Sequence, residues 1–100
     1  MTSLLPRAAA DSVYRYIERT AIRSDAGATW EVLGYDNVVR RDQLNVFNGT
    51  AGIALFLTEY GALDLAQDAL RWCATCPGDW GDSLCFGRGG VALAGLALHA

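Results

Sequence analysis

An all-α chain carrying one small β-hairpin is what this sequence predicts, and three patterns predict it. Two stretches, at 47–61 and 83–96, are led by paired glycines and run apolar nearly all round. Two others, at 11–23 and 62–74, place apolar residues on one face at spacings of three and four. Only 28–46 loses that period, and β-branched and aromatic residues gather there around a turn-forming cluster.

The first helix is read over 11–23. Val13, Tyr14, Ile17 and Ala21 fall on one side, while Arg15, Glu18, Arg19 and Arg23 fall on the other. Asp11 and Arg15 are spaced for an i,i+4 ion pair, and Ser24-Asp25-Ala26-Gly27 reads as the stop. Next, Thr29-Trp30-Glu31-Val32-Leu33 and Val38-Val39-Arg40 flank Gly34-Tyr35-Asp36-Asn37, so 28–46 is read as a hairpin or loop. Nothing in it points to catalysis.

Asn48 is in place to cap the following helix, and Gly61 stands where a left-handed residue often ends one. Between them only Glu59 is charged, and a helix without a polar face must be covered on every side. The stretch 62–74 has the opposite design. Asp64, Gln67, Asp68 and Arg71 line one face, with an i,i+3 ion pair open to Asp68 and Arg71, and Leu65, Ala66, Ala69, Leu70 and Cys73 line the other. Cys76-Pro77-Gly78-Asp79 breaks that helix.

Ser83-Leu84-Cys85-Phe86-Gly87-Arg88-Gly89-Gly90-Val91-Ala92-Leu93 then repeats the earlier entry. Gly87 matches Gly49 and Gly90 matches Gly52, each pair 38 residues apart, and Ile53-Ala54-Leu55 becomes Val91-Ala92-Leu93. A G-x-x-G loop, an apolar inner helix and an amphipathic outer helix form a unit that must stack on copies of itself to bury its apolar face.

Composition narrows the function classes. With 52% hydrophobic and 19% charged residues, the 100-residue chain reads as one globular unit and excludes a disordered tail. All eight basic residues are arginine, dispersed from Arg7 to Arg88 with only Arg40 and Arg41 adjacent, so no nucleic-acid partner is expected. Pro6, Arg7 and Asp11 interrupt the opening apolar residues, which reads as no secretory signal and a cytoplasmic location. The apolar run from Gly89 to Leu98 is about half of the roughly 20 residues a membrane span needs. The odd set Cys73, Cys76 and Cys85 reads as reduced thiols. A chain of this length buries only about two-thirds of its unfolded surface, so a large catalytic architecture would need further sequence or a partner.

The repeat resembles the lanthionine synthetase C-like cyclases, including the cyclase domains of multidomain lanthipeptide synthetases. Phe47-Asn48-Gly49-Thr50-Ala51-Gly52-Ile53-Ala54-Leu55-Phe56-Leu57 is similar to that family's first G-x-x-G helix entry, and Ser83 to Leu96 to its second. The segment from Trp30 resembles the entry to the cyclase domain, so the likeness covers about Thr29 to Ala100. The resemblance implies an (α/α) toroid of seven inner and seven outer helices, of which this chain would hold the first two repeats. On that reading 1–100 is a partial domain, with a first repeat at 47–82 and the start of a second at 83–100. The implied activity is addition of a peptide Cys thiol to a dehydroamino acid, closing a thioether ring in a ribosomally made peptide. Zinc in the complete domain would activate the thiol, and the precursor peptide and a dehydratase or kinase domain of the parent chain would be partners. Taken alone, this stretch would be inactive.

The family's zinc ligands do not transfer. Cys85-Phe86-Gly87 has Phe where Cys-His-Gly has His, and Trp72-Cys73-Ala74 lacks the glycine of Trp-Cys-x-Gly. No catalytic, cofactor or metal residue is therefore assigned, and Gly49, Gly52, Gly87 and Gly90 are assigned as structural helix entries. Cys73, Cys76, Cys85 and His99 have the composition of a Cys3His zinc set, against a reading of Cys73 as a buried packing residue and Cys76 as part of its exit loop. Arg88 is placed either to meet an acidic peptide or to brace a loop. Asp79 and Asp82 read as turn formers. The alternatives in function are a non-catalytic helical repeat module that binds peptide or protein, and another α/α toroid enzyme such as a glycosidase or terpene cyclase.

Overall fold

The computed structural model describes residues 7–33, 37–40, 49–76 and 88–99. They form four helices and two short antiparallel hairpins in the order α1 (Arg7–Thr20), β1 (Ile22–Ser24), β2 (Gly27–Thr29), β3 (Val32–Leu33), β4 (Val39–Arg40), α2 (Thr50–Tyr60), α3 (Leu63–Thr75) and α4 (Arg88–Leu98). Among the described residues, no helix is long and apolar enough to cross a membrane.

Helix α1 starts four residues earlier than the amphipathic stretch 11–23 and ends three earlier. Its start is extended by Ala8, Ala9 and Ala10, the strongest helix formers, and Ala10 is buried. Its end is cut short because Ile22-Arg23-Ser24 pairs with Gly27-Ala28-Thr29, with Ile22 opposite Thr29 and Ser24 opposite Gly27. The cluster at 24–27 is thus a hairpin turn as well as a helix stop. Ser24 Oγ accepts the Ala26 N–H at 3.2 Å, and Gly27 takes a φ of +129°, which side-chain-bearing residues rarely adopt. Asp11 pairs with Arg7 at 3.2 Å rather than with Arg15, because the longer helix places Arg7 one turn before it.

The expected hairpin of 28–46 is shorter than its β-prone residues suggest. Val32 pairs with Arg40 and Leu33 with Val39, while Thr29 belongs to the earlier hairpin. Trp30 separates the two because its ring is in the core, 3% exposed, with Nε1 donating to the Ile17 carbonyl at 2.8 Å. The turn residues 34–36 lie outside the described residues.

Helix α2 is apolar on every side, and only Glu59 is exposed along it. Gly61 ends it with a φ of +104°, and the Leu57 carbonyl accepts the N–H groups of Gly61 and Ala62 at 3.0 and 2.9 Å. The two-residue link through Ala62 folds α3 back along α2 as a helical hairpin. α3 buries Leu65, Ala66, Ala69 and Cys73 and exposes Asp64, Gln67 and Arg71. The Asp68 to Arg71 pair forms at 3.3 Å, and Arg23 reaches the same carboxylate at 3.7 Å.

Strand β2 lies directly on α3. A Cβ at Gly27 would stand 2.2 Å from the Asp68 carbonyl oxygen and 2.8 Å from the Trp72 nitrogen, so only glycine permits this approach. The main core gathers where these elements meet, around Ile17, Ala28, Trp30, Leu57, Leu65 and Ala69. Helix α1 joins α2 through stacked rings, Tyr14 on Tyr60 at 4.6 Å, with the Tyr60 hydroxyl donating to Asp11 at 2.6 Å. The Arg7 guanidinium lies over the Tyr60 ring, 4.6 Å from its centroid.

Candidate functional site

The two glycine-led helices are neighbours, and α3 flanks both. Their junction is the place where the sequence concentrates its candidate residues. Ala51 of α2, Cys73 of α3, Cys76 just after it and Ala94 of α4 form a second buried cluster, with Leu55, Leu70, Trp72 and Val91 packed around it. Small side chains at 51 and 94 let the helices come close enough to enclose both sulfurs.

The first entry is built on a buried hydroxyl pair. Gly49 has an extended backbone at the N-cap of α2, and its carbonyl accepts the Ile53 N–H at 3.3 Å. Asn48, the expected cap, lies outside the described residues. Thr50 is 1% exposed, and its Oγ1 shares a hydrogen bond of 2.7 Å with Oγ1 of Thr29, itself 6% exposed. A hydroxyl buried at a helix start needs such a partner, and β2 supplies it. The pairing ties the first hairpin to the G-x-x-G entry, a role for Thr29 and Thr50 that spacing alone did not signal.

At the second entry Gly90 is buried and Gly52, its counterpart in α2, is half-buried. Gly87, Cys85, Asp79 and Asp82 lie outside the described residues. Arg88, the first residue of α4, turns back to the end of α3. Its guanidinium donates to the Cys76 carbonyl at 3.0 Å and to the Cys73 carbonyl at 3.4 Å. Carbonyls at a helix C-terminus lack intrahelical partners and carry partial negative charge, so a cation placed there both satisfies and neutralises them. Of the two roles open to Arg88, bracing is the one these contacts describe.

Cys73 is fully buried, and Cys76 is 6% exposed. Neither sulfur forms a disulfide among the described residues. Burial pushes the Cys73 thiol up to about 12, Cys76 adds to the rise, and the Arg88 charge opposes it. At neutral pH Cys73 is therefore a protonated packing group, while nucleophilic cysteines need the thiolate. His99 is exposed one residue beyond α4, with its N–H bonded to the Gly95 carbonyl at 3.1 Å. Among the described residues no three His, Cys, Asp or Glu side chains converge as a metal site. Among the described residues Cys73 and Cys76 meet at this junction, while His99 lies beyond the end of α4 opposite to Arg88, so these three do not by themselves make up the Cys3His set.

Two surface clefts lie on the α1 side of the molecule. One, of about 430 Å³, is walled by Tyr14, Glu18, Arg23, Asp64 and Asp68. The other, of about 360 Å³, is walled by Tyr16, Ile22, Trp30, Glu31 and Ile53. Hydrogen bonding to carboxylates raises the phenols of Tyr14, on Glu18, and Tyr60, on Asp11, above their usual range, so both serve as neutral donors that hold α1. Within the first cleft Tyr14 is bonded to Glu18 and Arg23 is paired with Asp68, and its walls come from α1, β1, the 61–62 link and the start of α3.

No family model matches the chain, and neither does any curated protein or solved structure.

Proposed function

We propose that this chain is the opening part of a lanthionine synthetase C-like cyclase domain, in which α2 and α4 are successive inner helices and α3 is an outer one. The observation that supports the reading is the repeat in its folded form. Two apolar helices with the same glycine pattern, 38 residues apart, pack side by side, and an amphipathic helix flanks them. The complete domain would add a peptide Cys sulfur to the β-carbon of a dehydroalanine or dehydrobutyrine, with a proton taken up at the α-carbon. Zinc in the complete domain would favour the thiolate of the substrate. The part described supplies scaffold to that chemistry, since its thiol is enclosed and its arginine braces a helix end.

A second reading, a non-catalytic helical repeat module that binds peptide, has one observation in its favour. The Arg88 guanidinium and the Thr29 to Thr50 hydroxyl pair, the polar contacts described beside the α2, α3 and α4 junction, hold elements together and do not face a reacting group. A cyclisation assay separates the two. The full product of the gene is incubated with zinc and a peptide carrying one free Cys and one dehydrobutyrine, and unreacted thiol is counted by alkylation and mass spectrometry. Zinc-dependent loss of thiol without change in peptide mass is the expected result. Peptide binding with every thiol retained would overturn the cyclase in favour of the binding module.

A further inference from the structure

We draw no further inference here: the strongest candidate, the outward apolar face of α4 at Leu93 and Leu96, is an unpartnered helix face, and nothing in the structure shows what covers it.

Discussion

Replacing Gly27 by Ala tests the contact that seats the first hairpin on α3. Two penalties add at this position. A φ of +129° strains any residue with a Cβ, at about 1–3 kcal/mol. The new methyl would also stand 2.2 Å from the Asp68 carbonyl oxygen and 2.8 Å from the Trp72 nitrogen, both backbone atoms of a packed helix that cannot swing aside. Overpacking of this kind costs about 1–3 kcal/mol more. Gly61→Ala is the control, because its φ is +104° but nothing lies within 4 Å of the added carbon. That substitution bears a conformational penalty alone, about 1–2 kcal/mol. The difference between the variants is therefore about 3 kcal/mol, which for a domain of this size separates their melting temperatures by roughly 15 °C. Far-ultraviolet circular dichroism on the wild type and both variants measures it. Equal melting temperatures would refute the close approach of β2 to α3.

Three further outcomes follow from the junction of α2, α3 and α4. Because the Cys73 thiol rises from its ordinary 9.0 to about 12 on folding, the unfolded chain loses this proton first. Its contribution to stability is whole below pH 9 and falls between pH 9 and about 12, by up to about 1.4 kcal/mol per pH unit. Urea midpoints across that range should fall more steeply for the wild type than for Cys73→Ala, and parallel curves would contradict it. Arg88→Ala removes two charge-assisted hydrogen bonds to carbonyls and should destabilise the chain by about 1.5–3 kcal/mol, with faster amide exchange in the last turn of α3. An unchanged exchange pattern there would return Arg88 to a role in meeting a ligand. Thr29→Val and Thr50→Val each strand a buried hydroxyl at about 1–2 kcal/mol, and the double variant should lose about 1 kcal/mol less than the sum. Strict additivity in denaturant melts would argue against the hydroxyl pair.

The helical part of this fold is legible in the sequence for a physical reason. Helix contacts repeat every three or four residues, so the apolar circumference of α2, its end at Gly61 and the Asp68 to Arg71 pair of α3 can be read within a few turns. The hairpin of β1 and β2 is different. Three residues per strand are too few to show alternation, and Ser24-Asp25-Ala26-Gly27 suits a helix stop as well as a turn. What decides between them is the packing of Gly27 on the backbone of residues 68 and 72, far away in the chain. The same holds at the candidate site. Arg88 meets main-chain carbonyls, which every residue possesses, so no side-chain pattern announces its partner. Thr50 could be seen as a small residue in a G-x-x-G loop, but its need for Thr29 appears only once both are buried. The outward face of α4 shows a further limit. Its apolar run predicts a helix covered all round, yet α2 and α3 reach one side only, leaving Leu96 72% exposed.

The seat of β2 on α3 also orders the events by which the chain folds. Helices α2 and α3, joined by two residues, can meet soon after each forms, as short loops close in well under a microsecond. Docking Gly27 between Asp68 and Trp72 instead closes a loop of about 40 residues, at an entropic cost of about 3 kcal/mol before any contact is made. The first hairpin is therefore expected to settle on a helical pair already assembled, and its closure, like the equally long-range packing of α4 on α2, weighs on the folding rate.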